Sequence, residues 1–286
     1  MVTKRRRTGR LTPMVALGIA LCSVPAADAA VIIVPDNNPS LRDAVELAAP
    51  GDTIQIRPGT YTTRVRIDRG QTGLTLEGLG GRPVIEPAAA DDGVRVRGVD
   101  GVTIRGLEVR GGQRAVRIEQ ASGVTVEDVI GAGNKEGIRA KQTVNLLVRN
   151  CELTGATRGR GVRVAVSTAP TIEGTLSSGN RQEGVLFVSV VGGVIRGNTT
   201  TLNRTGGIRL VRSASAVVEL NSADDNGRSG IRVDASPALA IANNDADGNA
   251  QYGIRVKNSP PITTVGDLVG AGNTATGNGI ADLRVD

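Results

Sequence analysis

A four-residue phrase repeats along this chain at an almost constant interval, and that interval constrains the fold more than any other feature. The phrase is a small residue, an aliphatic, usually Arg, then usually an aliphatic. It appears as Gly93-Val94-Arg95-Val96, Ala115-Val116-Arg117-Ile118, Gly137-Ile138-Arg139-Ala140 and Gly161-Val162-Arg163-Val164. It continues as Gly184-Val185-Leu186-Phe187, Gly207-Ile208-Arg209-Leu210, Gly230-Ile231-Arg232-Val233 and Gly253-Ile254-Arg255-Val256. Successive phrases start 22, 22, 24, 23, 23, 23 and 23 residues apart. A fixed period of this size marks a solenoid, in which each repeat packs only on its neighbours.

Alternation within the phrase selects strands over helices: the two aliphatics point one way and the Arg the other. A second short aliphatic strand lies between phrases, as in Gly123-Val124-Thr125-Val126 and Asn145-Leu146-Leu147-Val148. No segment between them is long enough for a crossover helix, so the chain must wind as a coil. Each coil of about 23 residues then pairs with the next about 4.8 Å along the axis. Composition agrees with thin, equivalent layers: 39 Gly, no His, no Trp, one Phe and two Tyr. Asn180, Asn203, Asn226 and Asn249 form one turn column, and Asn198, Asn221 and Asn244 another. Asn tolerates left-handed backbone and bonds to stacked neighbours, so these columns read as structural.

An open first coil would expose a row of unpaired strand edges. Residues 40–49 supply a cover: Ser40 is an N-cap, and Leu41, Ala44, Val45 and Ala48 form a stripe at helical spacing. Pro50-Gly51-Asp52 ends that helix, and Thr53 to Ile56 begin a strand. No equivalent cap is expected near the C-terminus, where the charges within Ile280–Val285 blunt the edge. The expected organisation is a signal peptide over 1–29, a cap and first coil over 30–60, and β-helix repeats over 61–286.

The leader reading rests on Lys4, Arg5, Arg6, Arg7 and Arg10, an apolar run from Met14 to Val24, and Ala27-Asp28-Ala29 as a cleavage site. Its cleavage would leave no transmembrane segment, since the run falls short of the about 20 residues a spanning helix needs. A secreted or periplasmic location follows. The whole chain carries 34 Lys+Arg and 28 Asp+Glu, a net of +6. Without the leader, 29 basic residues face 27 acidic ones, a net of +2, which argues against nucleic acid as the partner. Cys22 leaves with the leader, so Cys151 has no disulfide partner and reads as one member of an aliphatic column.

Ala48-Ala49-Pro50-Gly51-Asp52-Thr53-Ile54-Gln55-Ile56, followed by Pro58-Gly59-Thr60-Tyr61, resembles the capping-helix entry of pectin-lyase-like proteins. The Gly-Ile-Arg-Val and Gly-Asn phrases resemble the parallel β-helix repeats of that superfamily. The resemblance covers roughly residues 31–286 and implies an all-β, single-stranded right-handed parallel β-helix. It does not imply one activity, because the superfamily includes polysaccharide lyases, hydrolases, epimerases, phage tailspikes and NosD-like proteins. The hydrolases' Gly-His-Gly element and the epimerases' His have no counterpart in a chain without His, although Arg255-Val256-Lys257 echoes the hydrolases' last element. Copper binding of the NosD-like kind lacks its His and Met ligands.

Two features remain. The Arg residues of the phrase, Arg95, Arg117, Arg139, Arg163, Arg209, Arg232 and Arg255, should form an outward column broken only at Leu186. Arg97, Lys141, Arg114 and Arg160 add to it, while Asp92, Glu119, Glu136 and Asp234 dilute it. Such a row suits an acidic polysaccharide, since Arg pairs bidentately with carboxylates and sulfates. A duplicated repeat that copies one well-hydrated Arg explains the row equally well. The second feature is Asp224 and Asp247, one period apart, with Asp225 and Asp245 nearby. Stacked carboxylates invite calcium, which with an Arg or Lys base could serve a uronan lyase. A polar turn explains them too. Three readings stand at this point: a binding module using the Arg stripe, a calcium-dependent lyase, and a scaffold without a ligand. Few aromatics are available as sugar platforms: Phe187 falls inward, and Tyr252, just before a strand, is expected to be exposed.

Overall fold

The computed structural model describes residues 29–68 and 70–286. The leader expected over 1–29 therefore lies outside the described residues, apart from Ala29. The chain winds as a parallel β-solenoid of three sheets. Sheet A has ten strands, from Val31–Val34 and Thr53–Ile56 to Ala240–Ala242. Sheet C has ten, from Val65–Ile67 to Ala281–Val285, and carries the repeated phrase. Sheet B has seven, from Thr60–Tyr61 to Thr199–Thr201. Every recorded strand pair is parallel, and each strand pairs with its equivalents one coil before and after. Among the described residues no helix is long and apolar enough to cross a membrane.

Because register repeats coil by coil, like side chains stack. Val94, Val116, Ile138, Val162, Val185, Ile208, Ile231 and Ile254 form one buried inward column of sheet C. Phe187 is inward and fully buried, as the alternation requires. The small residue opening each phrase has a steric cause. A Cβ on Gly161 would lie 1.8 Å from Ser177 Oγ, and one on Gly93 would lie 2.2 Å from Val109 Cγ1. Where the phrase opens with Ala115, the residue facing it across the core is Gly131, so the volume is exchanged rather than added.

Asparagine ladders close two of the turns. Asn203 Nδ2 donates to Asn226 Oδ1 at 3.2 Å, and Asn226 Nδ2 donates to Asn249 Oδ1 at 3.1 Å. Each Oδ1 also accepts the backbone N–H of the Asn one coil earlier, as for Asn203 N at 3.1 Å. The ladders extend to Asn273 and Asn278. Cys151 heads the second ladder rather than a wholly aliphatic column: its N–H donates to Thr175 Oγ1 at 3.4 Å, and Thr175 N–H donates to Asn198. Burial pushes its thiol up to about 12, so it is no nucleophile at neutral pH.

Helix α1 spans Leu41–Leu47, with Ser40 accepting from the Asp43 N–H at 3.2 Å and with Leu41, Ala44 and Val45 buried. A second helix, α2 (Val265–Gly270), precedes the last strand and was not expected from the sequence. Thr264 and Asp267 form a capping box, and Leu268 is fully buried. Six residues with two glycines carry neither the periodicity nor the propensity that announces a helix.

Candidate functional site

Strand register assembles the Arg column on the outer face of sheet C. Arg66, Arg95, Arg117, Arg139, Arg163, Leu186, Arg209, Arg232, Arg255 and Arg284 are consecutive partners across ten strands. All seven predicted Arg lie in the column, and Leu186 is its single interruption. Arg66 and Arg284 extend it at both ends. Their strands, Val65–Ile67 and Ala281–Val285, open on Val and Ala without the Gly that marks the phrase.

Carboxylates neutralise much of this column, but unevenly. Arg117 binds Glu119 at 2.5 Å and lies 3.5 Å from Asp92; Arg95 reaches Glu119 at 3.4 Å. Arg209 pairs with Glu183 and Asp234, Arg232 with Asp234, and Arg255 and Arg284 with Asp286. Beside the column, Arg114 bridges Asp92 and Glu136, and Arg160 holds Glu183 at 2.6 Å. Burial pushes the Glu183 carboxyl up, but Arg160, its hydrogen bonds and Arg209 together outweigh that and hold it below its ordinary value.

Arg139 and Arg163, adjacent at the middle of the column, make no ion pair among the described residues. Burial weakens the hold of Arg139 on its proton; Glu136 opposes this, while Arg114, Arg163 and Arg117 reinforce it. The Nε of Arg163 is buried without a hydrogen-bond partner. Two half-buried guanidiniums thus stand one coil apart with like charges as neighbours. At about 5 Å in water such a pair repels by on the order of 1 kcal/mol.

Sheet A shows what the same repeat does with charge elsewhere. Its outward column runs Glu77, Arg105, Glu127, Arg149, Glu173, Arg196, Glu219, strictly alternating. Arg149 meets Glu127 at 2.9 Å, and Arg196 meets Glu219 at 2.6 Å. Sequence reasoning missed this ladder because each position differs in sign from its predecessor. Its signal was present as the charge closing each second strand, read at the 23-residue interval.

Asp224 and Asp247 stack one coil apart as expected, on the extension of sheet B. Three of their four carboxylate oxygens are engaged within the turn. Asp224 Oδ1 accepts from the Asp247 N–H at 2.8 Å, Asp247 Oδ1 accepts from the Thr276 N–H at 2.6 Å, and Ser222 donates to Asp224 Oδ2. Asp245 accepts from Thr274 Oγ1 at 3.0 Å. Among the described residues, no three His, Cys, Asp or Glu side chains gather as a metal-holding group. Tyr252 corrects a further expectation. It is buried, with Arg255 and Arg284 over its ring at 4.9 and 5.5 Å, because its neighbours' guanidiniums cover it.

The family described as right handed beta helix region matches residues 136–283, and the chain belongs to that family. No curated protein matches it by sequence. Among solved structures it is similar to the periplasmic alginate epimerase AlgG, with a TM-score of 0.59 and 15% identity over 90% of this chain and 82% of that one. The mannuronan C-5 epimerase AlgE4 A-module of Azotobacter vinelandii gives 0.50 and 15%, over 86% and 91%. The enzymatically active domain of bacteriophage CBA120 tailspike protein 2 gives 0.60 and 12%, over 73% of this chain and 37% of that one. At these identities the likeness is one of fold.

Proposed function

We propose that this chain is a secreted or periplasmic β-helix protein that binds an acidic polysaccharide through the Arg column of sheet C, without chemistry. The observation that carries the reading is the contrast between two columns of one solenoid. The outward column of sheet A alternates sign from Glu77 to Glu219; sheet C stacks like charges and leaves Arg139 and Arg163 at its centre, and Arg66 near its edge, without a carboxylate among the described residues. A repeat that merely copied its Arg would not alternate elsewhere. Unpaired guanidiniums at the rise of one coil, about 4.8 Å, offer bidentate sites to successive carboxylates of an extended polyanion. Fold neighbours named for action on alginate and mannuronan support a polysaccharide as the partner class. The leader-like pattern of residues 1–29, basic then apolar then Ala27-Asp28-Ala29, supports the location.

The test is retention of the purified protein in gels containing uronans, with and without calcium, while ultraviolet absorbance follows unsaturated products. Retention that weakens with salt, needs no calcium and yields no unsaturated product is expected. Charge reversal at both Arg139 and Arg163 should abolish it. Unchanged retention of that variant would reject the reading, and a calcium-dependent rise in absorbance would replace it with a lyase acting near Asp224 and Asp247.

A further inference from the structure

A second row of cations runs along the corner between sheets B and C. It holds Lys135, Arg158, Arg181, Arg204 and Arg228, spaced 23, 23, 23 and 24 residues apart and bracketed by Gln113 and Gln251. The Arg204 N–H donates to the Asn180 carbonyl, which sets Arg204 beside Arg181 of the preceding coil. In the coils on either side, Thr157 and Gly227 hold the equivalent positions, since the Arg181 N–H donates to the Ala156 carbonyl and the Gly227 N–H to that of Asn203. There the Arg stands one residue later, as Arg158 and Arg228, so the charge persists where the register slips. These four Arg are exposed and make no ion pair among the described residues, and Lys135 donates to Gln113 Oε1 at 3.0 Å. Of the acids in the same corners, Glu136 and Glu183 are buried and bonded to Arg114, Arg160 and Arg209. Asp225 is exposed and makes no ion pair among the described residues.

The row carries free charge through the coils where the column has none. Arg181, Arg204 and Arg228 share coils with Leu186, Arg209 and Arg232, and Glu183 and Asp234 meet the charges of the last two. At its far end Arg228 lines a shallow cleft with Glu183, Thr205, Arg209, Ser229 and Arg232. The Thr205 Oγ1 of that cleft is buried without a hydrogen-bond partner, and an acceptor on a ligand would satisfy it.

We infer that the polyanion's track leaves sheet C at Leu186: it passes from Arg139 and Arg163 onto the corner at Arg181, follows Arg204, and ends in the cleft of Arg228 and Thr205. This deepens the polyanion reading and rests on it. A small anion would meet one or two of these cations. A row of four coil steps, about 19 Å long with a cation every 4.8 Å or so, suits an extended chain that carries a carboxylate on successive residues. Because the row's guanidiniums are exposed and unpaired, the fold does not depend on them.

The experiment measures uronan-gel retention and melting temperature for wild type, Arg181→Gln/Arg204→Gln, Thr205→Val and, as a control on another face, Arg149→Gln/Arg196→Gln. It adds titrations of wild type and the corner double variant with size-sorted oligomannuronates. The corner variant should bind about tenfold more weakly and melt as wild type does. Thr205→Val, which keeps the side chain's shape, should weaken binding without lowering the melting temperature, and the control should keep its retention. Wild-type affinity should rise until the oligomer spans the row, whereas the corner variant's should level off at shorter oligomers. Wild-type retention by the corner variant, or affinities that level off at the same oligomer length in both proteins, would overturn this path and leave the Arg139 and Arg163 reading intact. Wild type that binds no uronan would overturn both.

Discussion

Glu183 shows how the sheet C face balances burial against charge. Its carboxylate is buried between Arg160 and Arg209, and its proton affinity lies below the ordinary 4.5. A depressed carboxylate stabilises the fold above its unfolded value, and that contribution disappears as pH falls through the folded value. Glu183→Gln should therefore lose about 1–3 kcal/mol at neutral pH, the range for removing a charge-assisted buried bond. The gap from wild type should close as the pH of thermal unfolding is lowered below 4.5. A gap independent of pH would mean that packing, not charge, sets the value of Glu183. The column Arg were legible residue by residue, because a phrase with period-two alternation assigns each to the outer face. The acids two residues along the same strands, Glu119 and Asp234, were legible with them, but Glu183 and Asp286 were not, because they reach Arg209 and Arg255 across coils.

Strands and turns obey a volume rule set by the narrow coil. Gly161 faces Ser177 so closely that an added methyl must displace its hydroxyl, which donates to the Gly184 carbonyl at 2.9 Å. Gly161→Ala should destabilise by about 1–3 kcal/mol, as overpacking does. Adding Ser177→Gly should recover part of that, reproducing the Ala115–Gly131 exchange already present. Denaturant midpoints of the two variants check both halves. The Asn ladder makes a second demand. Asn226 bonds to Thr200 O, Asp224 O and Asn249 Oδ1 and accepts two bonds from Asn203. Asn226→Ala leaves buried donors unmet and should cost about 1–3 kcal/mol or more, with Asn226→Thr intermediate because one hydroxyl serves at Thr175. Equal melting temperatures for Ala and Thr would show that the ladder's hydrogen bonds matter less than its shape. At this scale the sequence was informative wherever spacing held at 23, and both Asn columns were legible. It was silent at α2, where a 29-residue interval replaces the usual one between Asn244 and Asn273.

Across the whole molecule, one period yields faces with different electrostatics. Stacking brings every outward position against its equivalent about 4.8 Å away, so a column must either alternate in sign, as on sheet A, or repel. Sheet C repels at its centre and is relieved by flanking acids at Arg95 and Arg117 and from Arg209 to Arg284, a local imbalance that the chain's net charge of +6 does not show. That locality could not be read from composition. The central claim is that the unpaired centre of sheet C exists for a polyanion rather than for stability, and two matched variants separate those purposes. Arg139→Gln/Arg163→Gln and Arg149→Gln/Arg196→Gln each remove two charges, from sheet C and sheet A respectively. The decisive measurement is uronan-gel retention of both, with melting temperature alongside. The account predicts that the sheet C variant loses retention without losing thermal stability, while the sheet A variant keeps retention and melts slightly lower. Equal retention by the two variants, or a sheet C variant that keeps its retention, would contradict it.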